Sequence, residues 1–163
     1  MPEFSAISGS RTLHRIIYAS RVRIPDVDLD HEIQAIIRAS IRNNRDVAVT
    51  GLLLVHDGWF VQALEGPAEA VMNVYRRICD DARHEDAKVL AAGPAQAREF
   101  GDWNMCARRM NAADDAILAT LEIRGAFEPL QLTASAALKL LKAVRGIQER
   151  AATAPARAYA AKS

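Results

Sequence analysis

The segment VAVTGLLLVHDGWFVQALEG, residues 47–66, constrains the fold more strongly than any other part of the chain. Two apolar runs flank the dipeptide Asp57-Gly58, which favours the tight two-residue turn between antiparallel strands. Both runs are rich in aliphatic and aromatic residues and have the length of ordinary strands. The segment therefore predicts a β-hairpin whose second strand is buried.

Helix and strand patterns alternate on either side of this hairpin. Residues 12–20 are rich in β-branched and aromatic side chains and predict a first strand. Residues 31–44 carry isoleucines at helical spacing and predict a first helix. After the hairpin, residues 66–84 predict a second amphipathic helix, with Pro67 at its first position, where a missing amide hydrogen is tolerated.

Two further segments complete the order of elements. Residues 87–93 and 103–110 predict a fourth and a fifth strand. The order β-α-β-β-α-β-β predicts a ferredoxin-like α/β fold of the α+β type, with a five-stranded mixed sheet and both helices on one face. The first crossover should be right-handed, which makes the first and second strands parallel.

The chain beyond residue 110 has a helical character. Thr133 is a candidate N-cap of a helix that carries lysines and an arginine outside an apolar stripe. This helix either covers the second face of the sheet, as we expect, or meets a partner. The stripe consists of Ala137, Leu138, Leu141 and Val144.

These patterns divide the chain into four predicted parts. The central part is a single domain, which suits a chain of 163 residues. We expect a flexible lead-in over residues 1–11, a domain over 12–110, a helical extension over 111–150 and a flexible tail over 151–163.

Composition and charge exclude several classes of function. A formal net charge of +1 offers no electrostatic basis for binding nucleic acid or an anionic membrane, and no apolar run approaches the roughly 20 residues of a membrane span. Cys79 and Cys106 are expected to be reduced, buried thiols, which predicts a cytoplasmic protein. The four histidines lie in different elements and predict no metal site.

One residue of the buried strand is polar. Phe60, Gln62 and Leu64 share one side of an extended chain because side chains alternate between faces. A buried amide without partners costs about 1–3 kcal/mol, so Gln62 must bind to protein, water or a ligand.

Two more polar side chains fall on apolar faces. Tyr18 shares a side of the first strand with Ile16 and Ser20, and Asn44 continues the isoleucine stripe of the first helix. Each has an ordinary alternative: Asn44 as a helix C-cap, Tyr18 as a packed ring with its hydroxyl at the rim, and Gln62 bound to backbone. Jointly they predict a pocket between the helices for a flat heterocycle that carries donors and acceptors.

At these residues the chain resembles the BLUF domain, the blue-light sensor module that uses flavin. The resemblance covers about residues 12–110 and rests on five motifs in the family's order. The motifs are IIYAS with Tyr18, NNRDVAVTGLLL with Asn44, DGWFVQALEG with Gln62 and Glu65, DDARH with Asp81, Arg83 and His84, and REFGDWNM with Trp103 and Met105.

The resemblance implies a flavin held without a covalent bond, usually FAD, with FMN or riboflavin as alternatives. It implies that Asn44 binds the carbonyl and ring-nitrogen edge, and that Gln62 lies between the ring and the Tyr18 hydroxyl. Further packing around the ring is expected from Leu53, Phe60 and Leu64, and contacts to the ribityl or phosphate end from Arg83 and His84.

The resemblance also implies a photoreceptor rather than an enzyme. In the family the tyrosine, here Tyr18, gives the excited flavin an electron and then a proton, and both return. Gln62 is left rotated or tautomerised, and the absorption moves slightly to the red. Trp103 and Met105 on the fifth strand are expected to relay this change through the C-terminal helices to an unknown partner protein. Those helices or the sheet are also expected to form a homo-oligomer.

Three other functions remain open at the level of sequence. A flavin-dependent redox enzyme needs a separate acid–base group, and none stands out. An RNA-binding module needs exposed aromatic residues and a basic surface, whereas the chain is 6% aromatic and nearly neutral. A flavin-free ferredoxin-like interaction module would give a colourless protein after reconstitution with flavin.

Overall fold

The computed structural model describes residues 12–101, 104–110, 118–119, 121 and 126–153, without the side chains of residues 104–106, 148 and 150–153. Short 3-10 turns occur at Asp26–Asp28 and Pro129–Gln131. The elements in chain order are β1 Leu13–Val22, α1 Leu29–Arg45, β2 Thr50–His56, β3 Trp59–Pro67, α2 Ala68–Cys79, β4 His84–Pro94, β5 Asn104–Arg109 and α3 Ala134–Thr153.

The five strands form one mixed sheet in the order β4-β1-β3-β2-β5. β1 pairs antiparallel with β3 and β4, and β3 pairs antiparallel with β2. β1 and β2 therefore run in the same direction, as predicted, but β3 lies between them. The parallel neighbours that make the sheet mixed are β2 and β5. The ferredoxin-like α+β fold is confirmed.

The predicted hairpin is confirmed. His56 pairs with Trp59 across a two-residue turn. Asp57 and Gly58 have φ angles of 51° and 80°, and positive φ at both positions defines the type I′ turn that matches the twist of the flanking strands. This turn fixes the register of β2 against β3, so that Leu53 lies opposite Gln62.

Two boundaries and the burial of several side chains differ from the sequence prediction. Pro67 is the N-cap of α2 rather than its first helical residue, with an extended ψ of 138°. β4 begins at His84 and not at residue 87, because His84 pairs with Val22 of β1. The stripe of α3 is also offset, since Leu140 is fully buried and Leu138 only partly. Cys79, expected to be buried, is exposed at the end of α2. These features depend on strand pairing and packing between distant segments, so the sequence pattern within one segment does not predict them.

The sheet separates two cores. α1 and α2 cover one face, where the even-numbered residues of β1 and β3 point. α3 covers the other face, where Ala137, Leu141 and Val144 pack among the odd-numbered residues of the same strands. Thr133 caps α3, as predicted, because its hydroxyl accepts a hydrogen bond from the amide of Ala136 at 3.1 Å.

A first helix of the extension, predicted by the pattern of residues 113–123, lies mostly outside the described residues, as does most of the predicted tail. The four-part division of the chain therefore stays a prediction. No helix in the part of the chain that the structure describes has the length and apolarity needed to cross a membrane.

Candidate functional site

Tyr18 and Gln62 are direct neighbours across β1 and β3. The Tyr18 hydroxyl donates a short hydrogen bond to Oε1 of Gln62, and both side chains are buried. Burial raises the pKa of Tyr18 well above its usual range, and nearby Tyr75, Cys79 and Asp81 raise it further. The phenol therefore keeps its proton and acts as the donor, which orients the oxygen of the amide toward Tyr18.

A cavity opens beside this pair, between α1 and α2. Its inner part has a volume of about 50 Å³ and is closed by Tyr18, Phe60 and Gln62. An outer part of about 180 Å³ reaches Asn44 and the exposed Arg77. Both parts share the lining residues Ile36, Ser40, Ile78, Asp81 and Arg83, so they form one path from the surface to the buried phenol.

Asn44 lies in the last turn of α1 and is buried. The helix continues to Arg45 and its C-cap is Asp46, so Asn44 is not the cap residue. Its side chain lines the outer cavity. Its backbone carbonyl accepts hydrogen bonds from the amides of Val47 and Val49, which hold the connection to β2. The structure thus places this amide beside the cavity but nearer to its opening than Gln62.

His84 lies at the inner end of the cavity and is nearly buried. Its Nε2 lies 2.5 Å from the carbonyl oxygen of Ile78, and its Nδ1 lies 2.7 Å from the hydroxyl of Ser20. A carbonyl can only accept, so Nε2 carries the proton, and in the neutral ring Nδ1 accepts from Ser20. The ring stands 6.3 Å from the Tyr18 ring and connects β1, α2 and β4.

Arg83 closes the side of the cavity. Its guanidinium binds Asp81 through two nitrogens, at 2.9 Å from Nε to Oδ1 and 2.6 Å from Nη2 to Oδ2. Nη1 reaches Glu32 on α1 at 3.4 Å. Hydrogen bonding to Arg83 lowers the pKa of Asp81, and the same bonds raise the pKa of Arg83. This bidentate pair links the segment after α2 to α1.

The remaining predicted site residues fall into three groups. Leu53 and Phe60 line the inner cavity. Leu64 is buried with Ile16 and Tyr18 beneath α2 and lines neither part of the cavity. Trp103 lies outside the described residues, and Met105 is on β5 but its side chain is not described.

Sequence reasoning missed the cavity residues Ile36 and Ser40 on α1 and the phenol Tyr75 on α2. Ile36 and Ser40 precede Asn44 by eight and four residues, so helical spacing from Asn44 alone could have found them. The Tyr75 ring stands 5.3 Å from the Tyr18 ring. No group of three or more potential metal ligands occurs among the residues described.

Known proteins resemble this chain in sequence and in fold. A family model described as "BLUF: Sensors of blue-light using FAD" matches residues 13–106. The chain is 38% identical over 131 residues to the photoactivated adenylate cyclase subunit beta of Euglena gracilis, which covers 80% of this chain but 14% of that protein. It is 36% identical over 112 residues to the blue light- and temperature-regulated antirepressor BluF of Escherichia coli, covering 68% and 27%.

A solved structure of the BLUF protein BlrB in its dark state matches with a TM-score of 0.69 and 30% identity, over 85% of this chain and 98% of the other. This chain therefore spans the whole of one short relative but a small part of the cyclases. The matched region, the fold and the identities agree: the chain belongs to the BLUF family of blue-light sensors that use FAD.

Proposed function

We propose that Tyr18 and Gln62 are the photoactive pair of this flavin sensor, and that the flavin ring lies between α1 and α2. The hydrogen bond from the Tyr18 hydroxyl to Oε1 of Gln62, at the closed end of the cavity, is the observation that carries the proposal. It joins an oxidisable phenol to a side chain whose donor and acceptor ends can be exchanged.

The residues around the cavity fit a flavin ring. Aliphatic and aromatic side chains supply two apolar walls, and the amides of Gln62 and Asn44 supply donors and acceptors at two points along its edge. Even together, the two parts of the cavity enclose less than the roughly 300 Å³ of a small ligand pocket. A bound ring therefore needs more room between α1 and α2 than the two parts of the cavity provide here.

When bound, the flavin supplies a ring that absorbs blue light and becomes an oxidant on excitation. Burial strongly disfavours the Tyr18 phenolate, so the phenol keeps its proton until an electron has left. Oε1 of Gln62 is the acceptor in direct contact with that proton. Once the electron and proton return to Tyr18, an inverted or tautomeric Gln62 presents a donor where its acceptor had been.

The other side chains hold this arrangement. We assign Asn44 to the polar edge of the ring, and Leu53 and Phe60 to its apolar surroundings. Arg83 lies along the path to the surface and suits the ribityl or phosphate end. His84 has both ring nitrogens engaged by Ser20 and Ile78, so we assign it to holding β1 against α2 rather than to contact with phosphate.

The output of the sensor is a separate part of the proposal. The cyclase and antirepressor relatives are much longer than the matched region. We propose that this chain acts on a separate partner protein in the cytoplasm, through Trp103, through Met105 on β5 and through α3. We assign no residue to turnover of a substrate, and homo-oligomerisation is likewise a proposal.

Visible spectra of the purified protein, loaded with FAD, before and after blue illumination test the photoactive pair. We expect a reversible red shift in the wild type. Tyr18→Phe should retain the flavin but lose the shift, because the donor to Gln62 is gone. Tyr75→Phe is the matched control, since that phenol stands next to Tyr18 but does not line the cavity. A normal shift in Tyr18→Phe would remove Tyr18 from this role.

A further inference from the structure

A buried carboxylate lies on the face of β3 opposite the cavity. Glu65 follows Gln62 by three residues, so its side chain points toward the core beneath α3. It is completely buried, and three donors surround it. Nε of Arg15 approaches at 2.7 Å, and the backbone amides of Glu99 and Phe100 donate at 3.0 and 2.8 Å.

These bonds attach residues 97–100, which we call the clasp segment, to the strand that carries Gln62. The segment is also attached to the sheet at other points. Nη1 of Arg98 donates to the Thr50 hydroxyl at 2.7 Å, and its Nη2 donates to the carbonyl of Ala48 at 2.8 Å. Nη2 of Arg15 donates to the carbonyl of Ala97 at 3.0 Å. The position of the clasp segment therefore follows the positions of β1, β2 and β3.

The clasp segment in turn binds α3. Nη1 of Arg145 donates to the backbone carbonyl of Glu99 at 2.6 Å and to its carboxylate at 3.1 Å. Lys142 lies 3.8 Å from the same carboxylate. Phe100 is fully buried in the core with the apolar residues of α3, and the Arg145 guanidinium lies 6.0 Å from its ring.

Among the described side chains, the ion pairs between α3 and the rest of the protein are those of Lys142 and Arg145 with Glu99. The other ion pair of Arg145, to Glu149, is internal to the helix. The buried contact of α3 with the sheet is apolar, and hydrophobic burial is non-directional. The bonds to Glu99 are directional, so they favour one position of α3 along the sheet.

We propose that the clasp segment holds α3 in the dark and releases it after illumination. Glu65 attaches the segment to β3, and Glu99 holds α3 through Arg145 and Lys142. A displacement of β3, or of the chain entering β5, moves the backbone amides that Glu65 binds. The Glu99 contacts then break and α3 separates from the sheet. These residues lie on the face of the sheet opposite the cavity. They connect a movement of the strand that carries Gln62 to α3.

Amide hydrogen exchange along α3, measured in the dark on the flavin-loaded protein, tests this attachment of α3. Glu99→Gln should speed exchange of residues 134–147 roughly threefold to fivefold, the range of a partly exposed ion pair. Arg145→Met, which also removes the bond to the Glu99 carbonyl, should speed it about tenfold or more. Glu149→Gln is the control, because it removes an ion pair of Arg145 without touching the clasp segment, and it should change little.

Equal dark exchange of α3 in the wild type, Glu99→Gln and Arg145→Met would overturn the proposal. Illumination supplies a second arm, which rests on the proposed photochemistry: α3 exchange should rise in the wild type and rise no further in Arg145→Met. A normal red shift without faster α3 exchange would also overturn the proposal. An absent red shift would contradict the role of Tyr18 and Gln62 instead, and the dark comparison would still show whether the clasp segment holds α3.

Discussion

On the face of the sheet that meets α1 and α2, β3 contributes Phe60, Gln62 and Leu64, whereas on the face that meets α3 it contributes Val61, Ala63 and Glu65. Each face thus contains one buried polar side chain between apolar neighbours. The partners of the two side chains differ. Gln62 accepts from a phenol beside a cavity, and Glu65 accepts from Arg15 and two backbone amides in a packed core.

This difference separates a polar group that can change state from one that cannot. An amide has a donor end and an acceptor end, so rotation or tautomerisation of Gln62 produces a second hydrogen-bonded arrangement. An ionised carboxylate has only acceptors, and three donors already bind Glu65. One strand therefore carries an exchangeable group on its cavity side and a fixed anchor on its other side. Substitutions on the two faces should affect different measurements.

The largest expected effect is on the photochemistry. Gln62→Leu removes the exchangeable amide while keeping a side chain of similar size, so the light-induced red shift should be lost completely. Difference spectra before and after blue illumination measure it. Gln131→Leu makes the same chemical change at an exposed position outside the sheet and should keep the full shift. An intact photocycle in Gln62→Leu would show that the two faces do not differ in the proposed way.

The second effect is on stability, on the opposite face. Leu141 is fully buried beneath the sheet, and Leu141→Ala should lower the free energy of unfolding by about 2–5 kcal/mol because it leaves a cavity. The red shift of the molecules that remain folded should keep its size, since the cavity side is untouched. Urea denaturation and difference spectra measure the two quantities. Leu138→Ala is the control, because this residue is only partly buried and the loss should be smaller.

The sequence could predict those features of the two faces that depend on neighbouring residues along the chain. Alternation along β3 placed Phe60, Gln62 and Leu64 on one side, and Asp57-Gly58 predicted the hairpin that registers them. The family motifs then indicated that Tyr18 and Gln62 act together. The sequence has no local signal for which strand lies beside β3, although that pairing puts Tyr18 directly opposite Gln62.

Residues whose surroundings come from distant segments were harder to predict. His84 follows a helix in a polar stretch, and its burial depends on Ser20, which is 64 positions away in sequence. Glu65 was part of a motif, but its partners lie on β1 and in the clasp segment, 50 and about 35 residues away. The sequence does not predict these contacts, because they form only when distant segments come together in the sheet.

The smallest expected effect is a loss of local stability at low pH, which should act on each face through a different carboxylate. The pKa of Asp81, beside the cavity, is lowered mainly by its hydrogen bonds with Arg83. The pKa of Glu99, at α3, is lowered mainly by its hydrogen bond with Arg145, and Lys142 and Arg15 lower it further. A lowered pKa in the folded state means that each carboxylate stabilises the fold at pH values above its ordinary pKa of about 4. That stabilisation is lost as the pH falls through the lowered value.

Hydrogen exchange measured over a pH series, corrected for the intrinsic rate, resolves the two contributions. Below about pH 4 we expect α3 and the segment around Arg83 both to lose protection. Glu99→Gln should remove the acid dependence from α3 alone, where Glu65 and Glu149 are the other acidic groups near the clasp segment and Arg145. Asp81→Asn should remove it from the cavity side alone, where Glu32 is the other carboxylate that Arg83 contacts. Loss of the acid dependence on both faces in either variant would mean that the two carboxylates do not act locally in the dark, before any displacement of β3.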